Sequence, residues 1–246
     1  MSEEQIVDLN ETDEPKKKDR ITIAFSYPFG NGFEHAWINS VIGLMLYEAS
    51  KKPEDRILGS ILPAGSCYVS DNRTKIALDF CNKTQDSHVM MVDPDVAFEL
   101  DILERFKKHI EANPEARIIA ARVDLLNGFP VFYKVDKVKL MNMQQPFIFD
   151  GLKEFDLVGT GIICIARSVF EEMSFKEGHN HFFHRTITGP GIRAGDDFSF
   201  CMRAHKHGIK VYGAWDIKGT HFKGGVPIAS RYPEKYEDLC PQKFGG

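Results

Sequence analysis

The sequence predicts an α/β protein: a mostly parallel central sheet flanked by helices, with a small antiparallel extension. Three observations predict it. Four short apolar runs between residues 21 and 122 alternate with stretches of helical period, the pattern of strands joined by crossover helices. After residue 122 the apolar runs follow one another more closely, as antiparallel strands do. The 246 residues are 43% hydrophobic and 27% charged, the composition of a globular chain with a sizeable core.

Residues 1–19 carry many charges and little to bury, and read as a disordered leader before one domain over 20–246. "ITIAFSY" (21–27) reads as a buried strand, closed by the turn-rich "PFGNG". "FEHAWINSVIGLMLYEASKK" has helical spacing, with Ala36, Ile38, Val41, Ile42 and Met45 as its apolar positions. "RILGSIL" (56–62) is a second strand. "DNRTKIALDFCNKT" is a helix with Ile76, Ala77, Phe80 and Cys81 on one face and Asp71 as its cap. "HVMMV" is a third strand, "FELDILERFKKHIEAN" a helix with Leu103, Phe106 and Ile110 inward, and "ARIIAAR" a fourth strand. The domain reads as two halves, about residues 20–122 and about 123–246. In the latter, "FPVFYKV" and "FIFDGLKEFDLVG" read as antiparallel strands and "TGIICIA" as a buried one, followed by a helix from 167 to 173. "DDFSFCMRAHKHG" is a helix stopped by Gly208, and "KVYGAW" a last strand.

The net charge of −4 leaves no global basic footprint, so bulk nucleic-acid binding is not implied, although a local groove remains open. The five cysteines are odd in number, scattered and without a CxxC pair. They read as free thiols in a reducing compartment, with Cys164 and Cys201 inside apolar runs. No stretch is long enough in apolar residues to span a bilayer, and the acidic-then-basic start is no signal peptide. The expectation is a cytoplasmic protein.

The chemistry concentrates at strand ends. In "HVMMVDPDV" an apolar strand runs into Asp93 and Asp95, spaced by a rigid proline. In parallel sheets, ligands bind outside the carboxyl ends of the strands. Two carboxylates there make a hard-oxygen site for Mg²⁺ or Mn²⁺, which in turn binds a diphosphate; the plainer reading is a helix cap at Asp95. In "GIRAGDDFSFCMRAHKHG", Asp196 and Asp197 open a helix. One suffices as its cap; the other is a candidate general base. His221 in "KGTHF" is either structural or a third metal ligand. Asn72 and Arg73 begin a helix, where backbone N–H groups and a guanidinium suit phosphate. His179, His181 and His184 fit no common zinc spacing. Residues 175–193 read as a lid, with Phe182 and Phe183 as candidates for stacking on a sugar or base.

Taken together and in order, "IAFSYPFGNG", "DNR", "VDPDV", "LVGTGIICIARSVFEEM", "GDDFSFCMRAHKHGIKVY" and "GTHF" resemble a GT-A-fold, family-2-like glycosyltransferase, over about residues 21–221. The resemblance implies a Rossmann-like GT-A sheet with a nucleotide-binding half over about 20–122 and an acceptor half over about 123–246, and transfer from a nucleotide-diphosphate sugar, a UDP-sugar, with Mn²⁺ or Mg²⁺. It implies that Ser26 and Tyr27 contact the base or ribose, with Arg73 nearby. Asp95 would ligate the metal with His221, and Asp93 would hold ribose or sugar. Gly159, Thr160 and Gly161 would floor the cleft, and Asp197 would be the base of an inverting reaction. Asp196 stands where the family usually has Glu, which leaves the choice of base open. The order of motifs is similar to compact phage-type members, which makes a hydroxymethylated pyrimidine in DNA one candidate acceptor; a surface glycan or a small molecule are others. A nucleotidyltransferase is disfavoured because "SYPFGNGF" has no Lys or Arg, and a non-catalytic binding module because Asp95, Asp197 and His221 are all present.

Overall fold

The computed structural model describes residues 20–29, 32–65, 68–125, 128–135, 143–144, 149–188 and 192–229. The leader, the tail after residue 229, Cys67, Cys240 and residues 136–142 lie outside the described residues. In chain order the elements are β1 (Ile23–Phe29), α1 (His35–Ser50), β2 (Leu58–Gly65), α2 (Val69–Lys83), β3 (His88–Val92), β4 (Val96–Phe98), α3 (Ile102–Ala112) and β5 (Ile118–Val123). The second half adds β6 (Phe132–Val135), β7 (Met143–Gln144), β8 (Leu152–Phe155), β9 (Leu157–Val158), β10 (Ile162–Ala166) and α4 (Arg167–Glu177). It ends with β11 (Thr186–Thr188), β12 (Ile192–Ala194), α5 (Asp196–Lys206), β13 (Val211–Lys223) and β14 (Val226–Pro227).

A nine-stranded sheet in the order β14-β13-β5-β10-β3-β1-β2, with β4 and β8 also on β13, forms the centre. Strands β1, β2 and β3 pair in parallel, as do β5 and β13; β10 lies antiparallel between β3 and β5. Five long strands therefore point the same way. Their carboxyl ends, together with the entry to the reversed β10, share one edge. Small antiparallel units, β7-β6-β9 and β11-β12, are not hydrogen-bonded into this sheet, although β6 packs on it through Phe132 and Phe155.

The period of 2 along each strand divides the core into two layers. Met90, Val92, Ile119 and Ala121 face a cluster with Trp37, Val41 and Leu44 of α1 and Leu103 and Phe106 of α3. Val89, Met91, Ile118 and Ala120 face the other way, onto Ile76 and Phe80 of α2, Phe170 of α4 and Phe200 of α5. Each fully buried side chain of this size is worth about 1.5–3 kcal/mol of transfer free energy.

Several elements differ from expectation, each for a packing reason. Helix α1 buries Trp37, Val41, Leu44 and Glu48, while Ile38, Ile42 and Met45 are exposed. The helix is apolar on more than one side, so its rotation is set by two strong contacts. Trp37 packs on Phe25 and Tyr27, and the Glu48 carboxylate accepts the amides of Ile57 and Leu58. Asp71 lies in the first turn of α2 instead of capping it; the cap position is Tyr68. Asp95 precedes a strand, not a helix, because Val96 and Phe98 bury themselves by pairing with β13. β13 is longer than "KVYGAW": it continues past an irregularity between Ala214 and Lys218 and carries His221 within the strand. Phe182 and Phe183 are core residues, 2% and 1% exposed, and Phe183 stacks on Phe200 at 4.5 Å. They are no stacking platform. The preceding loop is anchored, because Arg203 donates to the carbonyls of His181 and Phe182. Cys164 and Cys201 are buried free thiols, and burial pushes the Cys201 thiol up to about 12.

Candidate active site at the carboxyl edge of the sheet

Chain direction explains why the acids gather. Asp93 follows β3 and Asp124 follows β5 in the same direction, and Gly159–Gly161 lead into β10, which starts at that edge. Asp93 N–H donates to the Gly161 carbonyl at 2.9 Å, tying the two segments together. A cavity of about 150 Å³ opens there, lined by Arg73, Asp93, Asp124, Gly159, Thr160, Gly161, Asp197 and His221, with apolar walls that include Val123 and Val131. Gly159 is required by close approach: a Cβ there would stand 2.7 Å from Cβ of Val131.

Arg73, nearly fully buried, bridges two acids. It donates from Nη2 to Asp93 Oδ1 and from Nη1 to Asp196 Oδ2, each at 2.7 Å. Burial pushes the Asp93 carboxyl up, and the charge and hydrogen bond of Arg73 only partly oppose this. Asp93 and Asp196 are thereby committed to a guanidinium, which keeps α2, β3 and α5 in register around the cavity.

Asp197 has a different environment. Neither it nor Asp196 caps α5, whose cap position is Gly195; both lie in the first turn. Asp197 Oδ1 accepts its neighbour's amide, from Phe198, at 2.8 Å. Burial raises the Asp197 carboxyl above the ordinary aspartate range, and the nearby Asp196 and Asp93 add to the rise. Of the two acids it is Asp197 that lines the cavity.

Asp95 meets His221 through the β4–β13 pairing. Register sets Val96 opposite His221, and Phe222 N–H donates to the Asp95 carbonyl at 2.8 Å. Asp95 Oδ2 lies 3.0 Å from His221 Nε2 and 3.3 Å from Lys223 Nζ. The hydrogen bond to Asp95 raises the His221 ring, which also bonds the Asp124 backbone carbonyl. Burial raises Asp95, but the bonds from His221 and Lys223 outweigh it and leave the carboxyl below its usual range.

Can these residues hold a divalent ion? Asp95 Oδ2 and His221 Nε2, a carboxylate oxygen and an imidazole nitrogen, stand 3.0 Å apart in a mutual hydrogen bond, and both are donor types that would suit a divalent ion in place of the shared proton. A backbone carbonyl on the ring's other side also orients a ligating histidine. Among the described residues no group of three His, Cys, Asp or Glu side chains converges on one point. The chain therefore offers two ligands, which suits an ion that takes its remaining ligands from water and a diphosphate. Asp93, the expected companion of Asp95, is turned to Arg73.

The nucleotide residues divide. Tyr27 is half-buried in an aromatic group, with Trp37 at 5.1 Å and Phe33 at 5.7 Å between ring centroids. Asn72 is buried beside Arg73 in α2. Ser26 is fully buried and donates to the Met90 carbonyl at 2.9 Å, facing the sheet interior instead of the cavity. The His179 ring lies 5.7 Å from His181, tilted, and 6.0 Å from His184, edge-on, between ring centroids. Sequence reasoning missed Asp124 and Lys223. Asp124 was findable, since "ARVD" repeats the pattern of "MMVD": an apolar strand ending in an acid.

Comparison with known proteins now bears on this geometry. No protein-family profile matches the chain, and no curated protein matches it in sequence. Solved structures do match in shape. One is A197 from STIV, with a TM-score of 0.55 at 18% identity over 87% of this chain and 96% of that one. Another is GalNAc-T7, solved with UDP, GalNAc and Mn²⁺, with a TM-score of 0.57 at 10% identity. That match covers 88% of this chain and 46% of GalNAc-T7. The chain has a GT-A-like fold. At these identities the likeness is one of architecture. No helix among the described residues is long and apolar enough to cross a membrane.

Proposed function

We propose that the protein is a metal-dependent glycosyltransferase that moves a sugar from a nucleotide diphosphate, UDP being the first candidate, to an acceptor hydroxyl. One observation carries the reading. The Asp95–His221 pair, the raised carboxyl of Asp197 and the glycine floor of residues 159–161 meet at the carboxyl edge of a GT-A-like sheet. GalNAc-T7, of similar fold, was solved with UDP and Mn²⁺, which supports the choice of nucleotide and ion.

Asp95 and His221 would hold the ion, which when bound supplies positive charge for the leaving diphosphate. His221 must be neutral to ligate, and the bond to the Asp124 carbonyl aims its ring. Arg73 keeps Asp93 and Asp196 in place, so the floor and the base stay fixed relative to one another. Asp197 takes the acceptor's proton, because its carboxyl is the more basic for being buried and borders the cavity. Attack from the side of Asp197, opposite the diphosphate, inverts the anomeric centre.

For the acceptor, the reading keeps a hydroxymethylated pyrimidine in DNA, a glycan and a small molecule as the set to screen. Because water can replace the acceptor, donor hydrolysis tests the chemistry first. Slow release of UDP from one UDP-sugar, requiring Mn²⁺ and lost in Asp95→Ala, is expected. No nucleotide-sugar turned over under any divalent ion, with or without acceptor, would overturn the proposal.

A further inference from the structure

We infer that the protein is a homodimer whose two copies meet, across a two-fold axis, on the outer flank of α1 and the outermost strand β2. The inference is independent of the proposed chemistry, since none of these residues lines the cavity at the carboxyl edge.

Helix α1 is held by its own chain on two sides. Trp37, Val41, Leu44 and Glu48 are buried against the sheet. Ser40 and Gly43 face the segment around β4: Ser40 Oγ accepts the Phe98 amide, and a Cβ on Gly43 would stand 3.9 Å from Cβ of Leu100. At 3.6 residues per turn, Ile38, Ile42, Met45, Leu46 and Ala49 fall on the flank turned away from β4. All five are exposed, Ile42 to 51% and Leu46 to 66%. On that side β2 ends the central sheet and pairs only with β1 among the described residues. Register sets its Ile61 beside Phe25, on the α1 face, where Ile61 is 44% exposed.

This margin carries almost no charge. The one acid of α1, Glu48, is buried, and the only other group in the helix that can be charged near neutrality is His35 at its first position. Outermost strands usually carry charged side chains that deter pairing, and β2, "LGSILPAG", carries none. Pro63 lacks an N–H, which confines strand pairing to Leu58–Leu62. A two-fold axis sets a surface against its own copy, so a charge near the axis would meet its like; an uncharged face suits that contact. A bilayer offers no partner to the outward N–H and C=O groups of β2, whereas a second copy brings the same edge. The leader, with ten charged residues in nineteen, suits water better than an apolar face. The size also fits. The 16 residues of α1 span about 24 Å, and a helix layer over a sheet layer is about 20 Å deep. That gives about 500 Å² on each copy and about 1,000 Å² in the pair, where specific interfaces begin.

Sedimentation equilibrium on the full chain tests this, from about 1 to about 100 µM. Ile42, the exposed residue near the middle of the flank, is changed to Glu. Phe175→Glu is the control, at a residue on α4 that is 89% exposed. Wild type and Phe175→Glu are expected at twice the 27.9 kDa mass of one chain, and Ile42→Glu at that mass, with the circular dichroism of the wild type. Should Ile42→Glu not fold, Ile42→Ala and Leu46→Ala take its place, each weakening the dimer about tenfold. A wild-type chain that is monomeric at about 100 µM overturns the inference, whether leader, lipid or nothing covers the flank. So does a dimer that no α1 substitution weakens, or one lost only in Phe175→Glu.

Discussion

Arg73 is the residue whose loss the structure makes most costly. Replacing it with Met removes a buried guanidinium that answers Asp93 and Asp196 at once, and leaves both acids in place. Breaking a buried pair from one side typically costs about 3–5 kcal/mol, since the remaining charge stays desolvated. For a chain of this length, 1 kcal/mol moves Tm by about 2–4 °C, so Arg73→Met should lower Tm by about 6–20 °C. The pH dependence has a definite sign. Burial already lifts the Asp93 carboxyl above its ordinary 3.8, and losing Arg73 lifts it further. Between 3.8 and the new value the folded state then binds more protons than the unfolded one, so stability falls as pH rises through that window. The penalty should be full at pH 7 and shrink toward pH 4. Urea unfolding of both proteins across this range measures it. A penalty below about 1 kcal/mol at pH 7, or one that does not change with pH, would refute the clamp.

Three further outcomes are expected. Asp197→Asn should cut transfer by ~10²–10⁴-fold and leave nucleotide affinity unchanged; a variant that keeps its rate would show that Asp197 is not the base. Phe183→Ala should cost about 3–5 kcal/mol in denaturant unfolding, as a core truncation does, and a folded variant with wild-type stability would return Phe183 to the surface. Hydrogen bonds from Arg203 and His207 overcome burial and hold the Glu177 carboxyl at about 2, below its ordinary 4.5. Its contribution is therefore present above pH 4.5 and lost as pH falls toward 2, so the stability gap between wild type and Glu177→Gln should narrow on acidification.

The fold was legible because each strand and helix of the first half carries its own period, and because β–α alternation forces a largely parallel sheet. What was hidden depends on contacts distant in sequence. The rotation of α1 turns on Glu48 reaching the amides of Ile57 and Leu58, and β4 exists only because β13 runs alongside it. Phe182 and Phe183, in a loop rich in histidine and glycine, looked like ligand contacts; Phe170 and Phe200 claim them for the core. In the site, the sequence marked where acids stand but not their partners. Asp93 and Asp95 are two residues apart and meet different partners, Arg73 for one, His221 and Lys223 for the other.

The central claim is that Asp95 and His221 form the protein's half of a divalent-ion site that a nucleotide diphosphate completes. Titrating UDP into the protein by calorimetry, with and without Mn²⁺, tests it most directly, with Asp95→Ala and His221→Ala alongside. Binding that requires Mn²⁺ and is lost in both variants is the expected result. UDP affinity indifferent to Mn²⁺, or retained in both variants, would contradict it.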